Sequence, residues 1–400
     1  MFYSMNLLRY YIYYIFLHLT LAGSSLIQVG DAISVSMDSS ASYKHSSNVL
    51  KSKTNELTDV TYTLTPGAVV NFGNPGTALD LKLRAYYNIL KHQDYSDLDI
   101  NLLKVYFNGS YSPSDFTDSI FSYSIVEGQF AKSELSLDHA PALVETSTET
   151  ASFFTSYRYS PKLSFSLGVN QSERTYETYT DQLSSRKSTT IPFNLIYKYS
   201  NKLSVVYGIT LTDSEIGERT AYSSGIPFNM ASYDTNSVYY NLGLKGTILP
   251  KLTGQFSLGY HTLNFSTNTN DFNAFGATSA LTWTLTPKLR TIFNFSRDFD
   301  AAGNGSTYRE TKGTLSTIYS LNNELKLSFD ITRAGKYFKS NPAREGERFG
   351  RGEKLARVSL KLHYIPSENY SFVVGYNSVT SDAIRDYDLN EFKLTARLKY

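Results

Sequence analysis

From residue 33 onward the chain alternates apolar and polar side chains with a period of two. Residues 203–211 put Leu203, Val205, Tyr207, Ile209 and Leu211 on one side, and Ser204, Val206, Gly208 and Thr210 on the other. Residues 79–87 set Leu79, Leu81, Leu83, Ala85 and Tyr87 against Asp80, Lys82, Arg84 and Tyr86. Residues 163–169 and 392–400 read the same way. Side chains of an extended chain point alternately to opposite faces, so this period predicts strands. No stretch after residue 32 sustains a helical period.

Turn residues divide the pattern into eighteen strands. They fall near 33–45, 58–72, 78–90, 99–111, 116–130, 144–159, 162–177, 187–199, 202–214, 234–248, 251–265, 273–286, 288–299, 307–320, 324–337, 353–365, 368–380 and 386–400. Sixteen is the alternative, because 33–45 and 116–130 alternate least clearly. A phrase recurs at the strand junctions: YRYSPKL (157–163), YKYSNKL (197–203), TILPKL (247–252), WTLTPKL (283–289), IYSLNNEL (318–325) and HYIPSENY (363–370). Pro, Asn and Ser turn the chain there and cannot continue a central ladder. Longer polar stretches, such as 217–232 and 339–352, separate these turns.

Three features favour a membrane barrel over a soluble β protein. The strands run 10–15 residues, whereas soluble strands usually run ~5–6 and tilted membrane strands need ~9–11. Their apolar faces begin or end in aromatics, among them Tyr157, Tyr197, Trp283, Tyr319 and Tyr364, as at membrane interfaces. The opposite faces are rich in Ser, Thr, Asn, Lys and Arg, which a dry core would not tolerate and a water-filled lumen would. The expected architecture is all-β: one closed antiparallel transmembrane β-barrel over 33–400, with short periplasmic turns and longer external loops. A barrel of this size encloses an aqueous channel. The first strand starts close to the end of the leader, which leaves little chain for a plug or a passenger domain.

Residues 1–32 differ. Arg9 precedes an apolar run, Tyr10 to Leu21, and small residues follow at Ala22, Gly23, Ser24, Ser25, Gly30 and Ala32. This is the order of a secretory signal peptide, cleaved after Ser24 or Ala32, with Ala32 preferred.

The final strand ends LNEFKLTARLKY, with Phe392, Leu394, Leu398 and Tyr400 in phase. It resembles the C-terminal assembly signal of bacterial outer-membrane barrels. With the repeated turns, the chain is similar to porin-like β-barrel families of Gram-negative bacteria. The resemblance implies outer-membrane location, insertion by the barrel-assembly machinery, and passive transport of small hydrophilic solutes. It also implies outer-membrane lipid and lipopolysaccharide as surroundings.

Composition narrows the chemistry. The chain has no Cys, 33 Tyr and 24 Phe, and Lys+Arg exceed Asp+Glu by only 38 − 36 = 2. Thiolate metal sites and Cys nucleophiles are excluded, and a dedicated nucleic-acid binder is disfavoured. After residue 32 the histidines are His45, His92, His139, His261 and His363. None has HExxH-type spacing, and no GxSxG elbow occurs. No catalytic, cofactor-binding or metal-binding residue is therefore expected, although a Ser/His or Asp/His pair can still meet in space.

The alternation assigns lumen-facing cations: Lys82, Arg84, Lys104, Arg158, Lys198, Lys245, Arg290, Arg357, Lys361, Lys393 and Arg397. Fewer inward acids follow from it, namely Asp80, Asp330 and Glu391. Rings of Lys and Arg favour anions in pores. Loop acids Glu134, Asp138, Glu218, Glu345 and Glu347 would offset the bias. Loop 339–352 carries Arg344, Arg348 and Arg351 and is read first as a solvated external loop, with contact to lipopolysaccharide phosphates or folding over the mouth as the alternatives. The resemblance to general porins would place an inward constriction at 131–143, but that loop is only 13 residues long, which is short for the purpose. A porin-like channel is the leading function. The alternatives are an outer-membrane protease or lipase, and a barrel exporting exopolysaccharide.

Overall fold

The computed structural model describes residues 26–30, 32–53, 56–73, 78–131, 143–223, 226–266, 268–301, 307–338, 352–382 and 386–400. Eighteen strands form one closed antiparallel barrel. The first nine are β1 (Ile33–Ser46), β2 (Asp59–Thr65 and Gly67–Phe72), β3 (Leu79–His92), β4 (Ile100–Ser114), β5 (Thr117–Ala131), β6 (Leu143–Arg158), β7 (Leu163–Tyr176), β8 (Arg186–Lys198) and β9 (Leu203–Ile216). The rest are β10 (Tyr233–Leu249), β11 (Leu252–Phe265), β12 (Asn268–Thr286), β13 (Leu289–Ala301), β14 (Thr307–Ser320), β15 (Leu325–Phe338), β16 (Gly352–Tyr364), β17 (Tyr370–Asp382) and β18 (Tyr387–Lys399). Both weakly alternating stretches are strands, so eighteen holds and sixteen does not. The largest departure is β12, which begins at Asn268, not 273.

Each strand pairs with its neighbour in sequence, and β18 pairs with β1 from Lys399↔Asp38 to Glu391↔Ser46. Two further bonds extend this seam: Met37 N–H to Tyr400 O (2.5 Å) and Tyr400 N–H to Met37 O (2.8 Å). Pro66 interrupts β2 without shifting its register, since Ser40↔Thr65 and Met37↔Ala68 continue one ladder.

The recurring turn phrase has a physical basis. Ser160 Oγ accepts from the amides of Lys162 and Leu163, and Ser200 Oγ from those of Lys202 and Leu203. Thr286 Oγ1 does the same for Lys288 and Leu289, and Asn322 Oδ1 for Glu324 and Leu325. A short side-chain acceptor followed two and three residues later by amide donors is a self-capped turn. The TILPKL copy has Leu249 where these four have that acceptor, and there Lys251 takes φ +66° instead.

The burial pattern is inverted relative to a soluble protein. Large apolar side chains such as Leu83, Phe193, Leu242, Phe256, Phe293, Leu360 and Leu394 are exposed on the outward face. Tyr157, Tyr197, Trp283, Tyr319 and Tyr364 ring that face near the short turns. A closed wall with an apolar, aromatic-edged outer surface is a lipid-facing wall. The buried apolar clusters sit at the long-loop end: Val144, Tyr176 and Leu183 in one, Val379, Tyr387 and Leu389 in another.

Residues 217–232, read as a plain polar loop, contain a hairpin of Arg219–Ser223 with Ile226–Met230. Alternating RTAYS and IPFNM flanking Ser224–Gly225 suffice for one. Most of the proposed signal peptide, residues 1–25 and 31, lies outside the described residues, as do 132–142 and 339–351. Ile27–Val29, inside the proposed leader, forms a short strand against Ile33–Val35.

Candidate functional site: the inward face of the barrel

Strand register carries one face around the ring. The side of β3 bearing Lys82, Arg84 and Tyr86 pairs through Arg84↔Tyr106 and Tyr86↔Lys104. It continues through Thr148↔Arg174 on β6 and β7 to Lys198↔Ser204, Ser204↔Lys245 and Thr284↔Arg290. It returns by Thr332↔Arg357, Ser328↔Lys361, Gly375↔Lys393, Ser371↔Arg397 and Lys44↔Lys393. All eleven sequence-assigned cations share this face, opposite the exposed apolar side chains.

The same face holds charges that the sequence reading left out: Lys44, Arg186, Lys312, Lys326 and Lys336, and the acids Asp38, Asp298, Asp300, Glu310 and Glu353. The expectation of only three inward acids is therefore corrected. These residues are in phase with the assigned ones. Most of them lie near strand ends, and Asp38 and Lys44 lie in the weak run ISVSMDSSASYK; Lys312, mid-strand, has no such reason. Among the expected loop acids, Glu134, Asp138, Glu345 and Glu347 lie outside the described residues, as do Arg344, Arg348 and Arg351.

Several cations are neutralised locally. Arg397 Nε donates to Asp38 Oδ1 at 2.6 Å, and Arg397 Nη2 also donates to Asp38 Oδ2. Tyr86 Oη donates to the same carboxylate at 3.1 Å. Tyr86 reaches it over Gly67, where a Cβ would lie 2.4 Å from the Tyr86 ring. Lys361 Nζ lies 3.5 Å from Asp330, and Lys44 Nζ 3.5 Å from Glu391. Arg357 and Lys393 have no carboxylate within 4 Å among the described residues. Near the short turns, Arg158, Lys198, Lys245, Arg290 and Lys326 come from β6, β8, β10, β13 and β15, every second or third strand.

At the long-loop end side chains bridge distant strands across the interior. Arg186 on β8 forms an ion pair with Asp300 on β13, five strands away. That is about 24 Å along the wall at the usual strand spacing. Tyr308 Oη donates to Asp300 at 3.2 Å, and the Tyr233 and Thr307 hydroxyls lie 3.4 Å apart. A cavity of about 250 Å³ lies behind this bridge, lined by Arg186, Ser214, Ser237, His261, Asp298 and Asp300.

The histidines are structural in setting. His92 Nδ1 and Asp59 Oδ2 are 2.7 Å apart with side chains 4% and 0% exposed. Asp59 Oδ1 also accepts from the Val60 and Asp94 amides. His261 Nδ1 is 2.7 Å from Asp298 but makes no aligned hydrogen bond, and its ring packs 4.9 Å from Phe299. His363 Nε2 meets Ser328 Oγ at 3.1 Å. His45 lies on the outward face, paired with Phe392. His139 is outside the described residues. Among those residues, no group of three or more His, Asp or Glu is placed to hold a metal ion.

No protein-family profile matches the sequence, and no curated protein matches it. Solved structures do. The FrpB iron transporter from Neisseria meningitidis (F3-3 variant) superposes with TM-score 0.51 at 13% identity, over 90% of this chain and 63% of that one. The apoprotein form of its F5-1 variant gives TM-score 0.52 at 11% identity, over 89% and 62%. OmpT of Vibrio cholerae is covered along 100% of its length by 94% of this chain, at TM-score 0.42 and 11% identity. The chain thus spans under two thirds of the FrpB structures, and at these identities the likeness is one of fold. That fold is the bacterial outer-membrane β-barrel.

Proposed function

We propose that the protein is an outer-membrane channel for passive diffusion of small hydrophilic solutes, with a preference for anions. The observation that carries this reading is the inward face: hydroxyls and amides along an eighteen-stranded wall, with Arg158, Lys198, Lys245, Arg290 and Lys326 spaced along the β6–β15 arc of the short-turn mouth. A wall of eighteen strands is wide enough for water. Cations lining one arc of a mouth raise the local concentration of anions in a salt-dependent way. Pairing of Arg397 with Asp38 and of Lys361 with Asp330 reduces the basic bias near the seam, so the arc at the turns carries more of it.

The test is reversal potential in a planar bilayer under a KCl gradient. Wild type is expected to conduct and to favour Cl⁻, and Arg158→Glu with Arg290→Glu to shift selectivity towards K⁺. Absence of conductance removes the channel reading. A K⁺-selective wild type removes the anion preference.

A further inference from the structure

A cavity of about 350 Å³ opens on the inward face beside the closing seam, and its lining includes Lys44, Arg357, Lys361, Lys393, Asp330 and Glu391. The ladders place Lys361, Gly375, Lys393 and Lys44 in a single row across β16, β17, β18 and β1. Gly375 leaves a dip in that row; a Cβ built there would already contact Lys361 Cγ at 3.4 Å. Lys361 and Lys393 are anchored two strands apart, about 10 Å at the backbone. Flexible lysine stems from those positions can converge on one small ligand above the glycine.

The local charge is unbalanced. Four cations face two acids, and the two pairs that form, Lys44 with Glu391 and Lys361 with Asp330, are loose at 3.5 Å. That leaves a net charge of 4 − 2 = +2, carried by Arg357 and Lys393. Like charges held on one patch of wall repel, even with water present. One multivalent anion relieves several repulsions at once and accepts charge-assisted hydrogen bonds from more than one donor. Chloride, with a single charge and no oxygens to share among donors, does this poorly. Thr314, Thr332, Ser359 and Thr395 add hydroxyls to the lining.

We propose that this cavity binds a small multivalent oxyanion of the phosphate type, seated over Gly375 between Lys361 and Lys393. The proposal shares with the channel reading a water-filled interior, but binding requires no conduction.

The experiment is calorimetric titration of the full-length barrel in detergent micelles with inorganic phosphate, in chloride buffer. Folding of each variant is checked by heat-modifiable gel migration. Wild type is expected to bind phosphate in preference to chloride. Lys393→Gln is expected to weaken binding about tenfold, as loss of one charge-assisted contact implies. Gly375→Leu, which fills the dip and keeps every charge, is expected to abolish it. Arg174→Gln, on the inward face of β7, is expected to leave it unchanged. Wild type without phosphate binding overturns the proposal. So does Gly375→Leu binding like wild type, or Arg174→Gln weakening binding as much as Lys393→Gln, which would mean a diffuse field. If Lys393→Gln does not fold, Arg357→Gln takes its place with the same expectation. Binding in a barrel that does not conduct defeats only the channel reading; conduction without binding defeats only this one.

Discussion

Single side chains fasten this wall where strands alone would leave it loose. Asp99, between β3 and β4, is one. Burial opposes its ionisation, but the His92 amide (2.7 Å) and the Lys91 ammonium (2.9 Å) donate to it and hold its carboxyl below the ordinary value. A carboxyl lowered in the folded state contributes stability above its unfolded value and loses it as pH falls through the folded value. Acidification below the ordinary carboxylate range should therefore loosen residues 93–99. Hydrogen-exchange protection at the His92 amide should fall in acid, and in Asp99→Asn it should be low already at neutral pH. Equal protection in wild type and variant at neutral pH would contradict this. Asp38 fastens the other end. Asp38→Asn should cost about 1–2 kcal/mol, because Arg397 is left half-exposed without its bidentate acceptor, and the urea midpoint of the folded, heat-modifiable band measures that loss.

At the level of strands and turns, most of the molecule is legible in the sequence. Period-two alternation recovers all eighteen strands within a few residues, because a wall with lipid outside and water inside gives every strand two unlike faces. The short turns were legible as a repeated phrase, and Ser160, Ser200, Thr286 and Asn322 explain the repetition. Ser200→Ala should remove the acceptor of two turn amides and cost on the order of 1 kcal/mol, again read by urea midpoint. Contacts between distant segments were not legible. Nothing in the spacing of Arg186 and Asp300, or of Asp38 and Arg397, announces that they meet, because register and closure decide it. The loop hairpin at 219–230 was missed because its two strands have only five residues each. The last strand yields a sharper test. Tyr400 exchanges two backbone hydrogen bonds with Met37 at the seam, so deleting it should lower the amount of folded protein in the outer membrane. Normal levels with altered permeability would point to a role in transport instead.

On the scale of the whole barrel, the two ends differ in character. The short-turn mouth carries spaced cations, whereas the long-loop end combines packed apolar clusters with mixed charge, including Asp298, Asp300, Glu310 and Glu353. The Arg186–Asp300 bridge cuts a chord across that end. It encloses β9–β12 on one side and leaves the larger arc, with the seam, on the other. If the barrel conducts as proposed, Asp300→Ala should join the cavity behind the bridge to the larger interior and raise single-channel conductance. Unchanged conductance would mean that the current already passes wholly through the larger arc.

The same bridge has a consequence in time. It joins two side chains, not two backbone segments, and partly exposed side chains change rotamer within picoseconds to nanoseconds. A single-channel record is far slower and averages over the open and closed bridge. In a conducting barrel the pair would therefore produce no visible flicker. It would act as a fixed fractional resistance. Discrete current steps in this barrel would have to come from moving backbone.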